Sequence, residues 1–252
     1  MIKLFTKTFS IFFIITCFFD TANAQTIKVA IAANLQPVIK ALKNDFKLRT
    51  KIDLEVISGS SGNLSAQIRN GAPYDVFLSA DSNFPQTLRR DGLAAKAPAV
   101  YAQGVLIICS AQNLDLKNWN NLLMTNTIKK IAVGNPAIAP YGKAAQQALT
   151  KAGVYSKVKV KMVFGESISQ VNTYIITGAV QVGFTTLSLI KDAANKQQLF
   201  YRLVNPADYA PIQQAMVLLK RAEKNTAAEK FYQYILSAPA KAIFNAYGYH
   251  TQ

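Results

Sequence analysis

Four times in this chain an apolar run ends in a few small or turn-forming residues and hands over to a helical repeat. Thr26–Ala33 reads as a buried strand, and Asn34 stands where it gives way to a helix carrying Leu35, Val38, Ile39, Leu42 and Phe46. Ile52–Ile57 enters Ser58-Gly59-Ser60-Ser61-Gly62-Asn63, and Leu64–Ile68 leaves it as a helix. In the second half, Ile128–Val133 leads through Gly134–Gly142 into a helix Lys143–Lys151. There Lys157–Val163, alternating Lys with Val, reads as a half-exposed strand that opens through Gly165–Gln170 into a helix to about Thr177. Such alternation predicts an α/β fold, with mostly parallel sheets covered by helices and ligand chemistry at the carboxyl ends of the strands.

The junctions have a chemistry of their own. The first N–H groups of a helix lack intrahelical acceptors, and the helix dipole makes that end partly positive, so small-residue turns at helix starts suit anions. Pro37 fits only a first helical turn, which places Asn34 at or beside a helix start. Two prolines stiffen the Gly134–Gly142 turn and set Tyr141 just ahead of its helix. Ser167 is the natural cap of the fourth helix, leaving the N–H of Ile168 free. One serine-rich turn alone is an ordinary capped helix start; its recurrence, two junctions in each half, implies two lobes facing a cleft.

The rest of the chain fits this frame. Asp75–Ser79 reads as a third strand before a helix Ser82–Asp91, and a second cycle begins at Gly104 with a strand Val105–Cys109 and a short helix Trp119–Met124. Val180–Thr185 and Gln213–Lys220 read as further strands, and terminal helices Thr226–Leu236 and Pro239–Tyr247 should pack onto an existing lobe.

Residues 1–24 combine Lys3 and Lys7, the apolar run Ile11–Phe19 and the small-x-small triplet Ala22-Asn23-Ala24, the pattern of a cleaved secretory signal peptide. That run is too short to span a bilayer, and Cys17, flanked by Thr16, Phe18 and Phe19, lacks the surroundings of a lipid-attachment site. The mature chain would start near Gln25 with Cys109 as its single cysteine, a buried thiol that rules out an internal disulfide. A formal net charge of +15 favours anionic partners, but the lysines are scattered and not interleaved with aromatics, which argues against nucleic acid.

Six motifs in order give the chain a family resemblance: Ala32-Ala33-Asn34-Leu35, Ser60-Ser61-Gly62, Gly71–Asp81, Gly134-Asn135-Pro136 with Ala139-Pro140-Tyr141-Gly142, Gly165-Glu166-Ser167, and Tyr247-Gly248-Tyr249. In these it resembles the periplasmic molybdate-binding proteins of ABC transporters. The resemblance implies two α/β lobes joined by hinge strands, lobe I formed by 25–102 with 211–252 and lobe II by 103–210. It implies a molybdate or tungstate oxyanion held by Asn34, Ser61, Tyr141, the backbone N–H of Ile168 and the backbone of Ala33, with no protein ligand directly on the metal and no cofactor. Thr186, near the place where some relatives carry a tyrosine, and Ser60 are open positions. The implied partners are a membrane permease and its cytoplasmic ATPase, and the implied state is a periplasmic monomer.

Elementary chemistry points the same way. Molybdate at neutral pH carries no proton, so its pocket should offer donors only, whereas protonated phosphate could use an acceptor. None of the proposed contacts is acidic; Glu166 reads as a charge at a helix start and Asp75 as a structural acceptor for turn amides. An enzyme would need a base, yet the single histidine, His250, lies third from the end, and Ser60 and Ser61 have no neighbouring base to activate them. Clustered zinc ligands are absent from the sequence pattern. The rival readings are another oxyanion such as sulfate or phosphate, a small organic anion, or, more distantly, an enzyme on a binding-protein-like fold.

Overall fold

A computed structural model of the protein describes residues 26–192 and 194–251. The expected signal peptide lies outside the described residues.

The first half builds one layer. Strand β1 (Thr26–Ala32) runs through a single 3-10 turn, Ala33–Leu35, into helix α1 (Gln36–Thr50), with Pro37 in its first turn. There follow β2 (Asp53–Gly59), α2 (Ser61–Arg69), β3 (Val76–Leu78), α3 (Asn83–Arg90) and β4 (Ala99–Gly104). The chain then crosses into a second layer at Val105. It forms β5 (Leu106–Ser110), α4 (Trp119–Met124), β6 (Ile131–Gly134), α5 (Pro140–Lys151), α6 (Tyr155–Val158), β7 (Met162–Gly165), α7 (Ile168–Ile176), β8 (Val182–Thr186), α8 (Ser188–Lys191) and β9 (Phe200–Leu203). It returns with β10 (Ile212–Leu218) and closes with α9 (Thr226–Ile235) and α10 (Ala238–Ala246).

The two sheets have the orders β2-β1-β3-β10-β4 and β7-β6-β8-β5-β9. In the first, β1 is parallel to β2 and β3, while β10 is antiparallel to both β3 and β4. In the second, β6 is parallel to β7 and β8, while β5 is antiparallel to β8 and β9. Each sheet therefore has one strand opposed to the other four, β10 or β5, the first strand laid down after the chain changes layer. This is the expected two-lobed α/β fold, with mixed rather than purely parallel sheets.

Each layer has its own core. Ile27, Val29, Leu42, Phe46, Phe231 and Phe244 are buried together on the first sheet, so the terminal helices do pack there. Ile107, Ile131, Val133, Leu149, Val171 and Phe184 fill the second. Asp75 is the structural acceptor expected of it, with a different donor set: Oδ2 takes the Lys28 N–H at 2.8 Å and Oδ1 the Arg221 guanidinium at 2.8 Å. It pins the starts of β1 and β3, at the opposite end of the sheet from the junctions.

Lys157–Val163 departs from expectation. It is not one strand but α6, a 3-10 turn Lys159–Lys161 and then β7. Val154 and Val158, four apart, share a buried helical face, whereas Val160 is 84% exposed, so the Lys/Val alternation had no second face to bury. Strands β4 and β9 carry no clear alternation, and the sequence pattern does not announce them. The Gly134–Gly142 junction ends earlier than its prolines suggested: Pro140 is already helical, which puts Tyr141 inside the first turn of α5.

Candidate functional site

All the sequence-predicted contacts meet at one small cavity between the layers. Its walls are Ala32, Ala33 and Asn34 at the end of β1, Ser60 and Ser61 at the start of α2, Ala80 after β3, Ala139, Pro140 and Tyr141 at the start of α5, and Ile168 at the start of α7. Space between these walls amounts to about 200 Å³, with open solvent at the mouth included. Larger depressions exist, one of about 690 Å³ near Tyr101 and His250 and one of about 1020 Å³ along Lys143 to Ala210, but neither is built from converging helix starts. The small cavity combines four such starts, and among its lining residues none is acidic.

The local chemistry of each start follows from its residues. Ser60 caps α2, its Oγ accepting the Asn63 N–H at 3.3 Å. Ser61 Oγ accepts the Ala80 N–H at 2.9 Å, which biases its own O–H toward donating into the cavity. Ser167 caps α7 by accepting the Gln170 N–H at 3.4 Å, and Ile168 follows as the first helical residue, its N–H without an intrahelical acceptor. Tyr141 is fully buried. Its phenolic oxygen accepts from Thr186 Oγ1 and from Gln214 Nε2, each at 3.1 Å. With both lone pairs engaged, the phenol has only its proton left to offer. Burial pushes the Tyr141 phenol well above its ordinary value, so that proton stays in place.

Asn34 is placed differently from a simple side-chain donor. Its Nδ2 donates to Gln214 Oε1 at 2.9 Å and to the Tyr249 hydroxyl at 3.2 Å, while Oδ1 is buried without a partner. What Asn34 and Ala33 can turn toward the cavity is the main chain of their 3-10 turn. Thr186 is buried behind Tyr141 and outside the cavity wall, whereas Ser60 lies on the wall.

Sequence reasoning missed the network beneath the site. Gln214, on the returning strand β10, bonds Asn34 from one lobe and Tyr141 from the other, and also receives the Tyr101 hydroxyl at 3.0 Å. Ser188 Oγ donates to the Asn34 carbonyl at 3.0 Å, and the Tyr249 hydroxyl donates to the same carbonyl at 2.6 Å. A polar residue in the apolar strand Ile212–Leu218 was the available signal, but Gln213 and Gln214 are adjacent and only one faces inward. Across the cleft the layers also touch directly, the Gly62 N–H donating to the Ile138 carbonyl at 3.0 Å.

Comparison with known proteins agrees with this geometry. The sequence profile described as bacterial extracellular solute-binding protein matches residues 27–250. The chain belongs to this family of extracellular solute-binding proteins. Among its relatives within the family, the molybdate-binding protein ModA of Azotobacter vinelandii is 35% identical over 92% of each chain, and that of Rhodobacter capsulatus is 33% identical over 92% of this chain and 90% of its own. The solved Azotobacter vinelandii periplasmic molybdate-binding protein superposes with a TM-score of 0.85 at 35% identity, covering 90% of this chain and 99% of that one. The sulfate-binding protein SubI of Mycobacterium tuberculosis shares the fold with a TM-score of 0.74 at 14% identity over 90% of this chain and 87% of its own.

Proposed function

We propose that this solute-binding protein captures molybdate, and tungstate with it, in the cavity between its lobes and delivers it to an ABC permease driven by a cytoplasmic ATPase. The carrying observation is the cavity wall itself: four helix starts, the Tyr141 hydroxyl with both lone pairs engaged elsewhere, the Ser61 hydroxyl already accepting the Ala80 N–H, and no acidic lining residue. Such a wall supplies donors and partial positive charge without a cation, which suits a tetrahedral dianion that has no proton to give. The names of the relatives support the same ligand.

In this reading the ion is held by Ser61 Oγ, the Tyr141 hydroxyl and the main-chain N–H groups of Ala33, Asn34, Ser61 and Ile168. Asn34 contributes through its backbone while its amide holds the hinge network. Lobe I comprises 25–102 with 211–252 and lobe II 103–210, the protein acts as a periplasmic monomer after loss of residues 1–24, and it performs no chemistry on its cargo. Titration calorimetry of the purified protein with molybdate, tungstate, sulfate and phosphate tests the proposal. Tight binding of the first two and weak or no binding of the others is expected; tightest binding of phosphate or of an organic acid defeats it.

A further inference from the structure

The function of the Gln214 side chain is not explained by fold stability alone, because three separate features of the molecule are arranged around it. The register between β10 and β4 shifts between Gln214 and Ala215, and an irregularity of that kind re-aims a side chain. Across the sheet Gln214 pairs with Ala102, and its amide reaches along β4 to Gly104, the last residue of that strand. A Cβ at Gly104 would lie 2.6 Å from Gln214 Nε2 and would overlap the Tyr141 hydroxyl, so only glycine leaves room for this pair. Finally, each end of the fully buried amide is matched to its neighbours: Oε1 receives Asn34 Nδ2 at 2.9 Å and a share of the Tyr101 hydroxyl, whose shorter bond goes to the Ser79 carbonyl, and Nε2 donates to Tyr141.

That matching gives the amide a direction. Turning it over would press Nε2 against the Asn34 amide donor and present Oε1 to Tyr141, whose proton would then be drawn away from the cavity. We infer that Gln214 is a specificity-determining positioning residue: by holding a donor against the Tyr141 oxygen, it forces the phenol to donate to the ligand and so favours fully deprotonated oxyanions over ones that carry a proton. The inference rests on the proposed oxyanion-binding function of the same cavity. A phenol free to rotate could accept a proton from hydrogen phosphate; a phenol held in this way cannot.

The test is calorimetric titration of wild type, Gln214→Glu, Tyr141→Phe and the double variant, with molybdate and with phosphate, at about pH 6.5 and about pH 8.5. Glutamate has the shape of glutamine but, when ionised, only accepts, so Tyr141 would donate to it instead of to the ion. The expected result is a loss of molybdate affinity of roughly tenfold or more at the higher pH. The loss should shrink at the lower pH, because burial raises the new carboxyl's pKa and its protonated form can donate to Tyr141 again. It should add little to the loss in Tyr141→Phe, and the preference for molybdate over phosphate should narrow. Equal loss at both pH values that adds in full to that of Tyr141→Phe, or no loss at all, overturns the inference. Should Gln214→Glu fail to fold, Gln214→Met carries the same test of additivity, with full additivity again decisive against it. A wild type that ignores molybdate would instead sink the functional reading.

Discussion

Replacing Gly62 by alanine should separate closure of the lobes from stability of the fold, because the two effects have opposite signs. Gly62 is the second residue of α2, and its N–H donates across the cleft to the Ile138 carbonyl at 3.0 Å. A methyl carbon at this position would sit 2.8 Å from both the α- and β-carbons of Ile138, where ordinary packing begins near 3.4 Å. Since one of the obstructing atoms is backbone, no side-chain rotation relieves it. The lobes must stop at least about 0.6 Å short, which stretches the interlobe bond past the range of a hydrogen bond. That bond is worth about 0.5–1.5 kcal/mol, and donors reaching the ion from lobe II retreat with it, each worth about 1.5–3 kcal/mol when its partner is charged. The expected sum is a fall in molybdate affinity of about ten- to hundredfold. The ligand-free protein should be as stable as wild type or more so, since alanine in a helix is favoured over glycine by about 0.5–1 kcal/mol. Calorimetric titration together with thermal unfolding, with and without molybdate, reads both quantities. Wild-type affinity in Gly62→Ala would refute the claim that binding requires the two turns to meet. Adding Ile138→Gly should restore only part of the loss, because the overlap with the main chain at position 138 remains.

Three further outcomes follow from named side chains. Ser61→Ala removes a hydroxyl donor to a charged ligand and should weaken molybdate binding by about 1–3 kcal/mol in the same titration, with unchanged affinity meaning that the ion sits elsewhere. Asp75→Ala strips the acceptor from the Lys28 N–H and from Arg221 and should lower stability in urea unfolding by about 1–3 kcal/mol while leaving molybdate affinity alone; a loss of binding would make Asp75 part of the site. Burial pushes the Cys109 thiol up to about 12 from 9.0, so its contribution to stability is complete below about pH 9 and is lost as pH rises toward about 12. Urea midpoints between those limits should fall less steeply in Cys109→Ala than in wild type. A maleimide should label the native thiol only as fast as the protein opens, and rapid labelling would show the cysteine to be accessible.

What the sequence made legible was local. Helix starts could be read where their signals lie within a few residues, as with Pro37 in a first turn and Ser167 as a cap, whereas Pro140 looked like part of a stiff turn and proved to be the first helical residue. Six motifs in order then carried the family and the fold. The illegible parts depend on separation along the chain. Gln214 meets Asn34 across 180 positions and Tyr141 across 73, and no periodicity in a seven-residue strand says which of two adjacent glutamines faces inward. The Asn34 amide illustrates the same limit: a side chain that looks free to donate in sequence finds both its hydrogens engaged once β10 and Tyr249 are folded against it. Lys157–Val163 failed for a different reason, since alternation signals a strand only when one face has a core to meet.

The arrangement of helix starts also explains why closure and ligand should be coupled. Each start carries roughly half a positive charge, and bringing those of lobe I against those of lobe II crowds like partial charges into a space lined by little else. Left empty, that convergence is unfavourable. Opposing it are the neutral contacts made only when the lobes meet, the Gly62 bond to Ile138, the Ser188 bond to the Asn34 carbonyl, and Ala32 and Ala80 packed against the core of the second layer. Two terms of opposite sign thus compete, and a ligand with differential affinity for the closed form shifts the population toward it. A dianion removes the repulsion and adds charge-assisted bonds, so it favours the closed form strongly; a neutral tetrahedral solute would leave the repulsion in place. Selectivity for charge would therefore reside in the closing step as much as in any single donor.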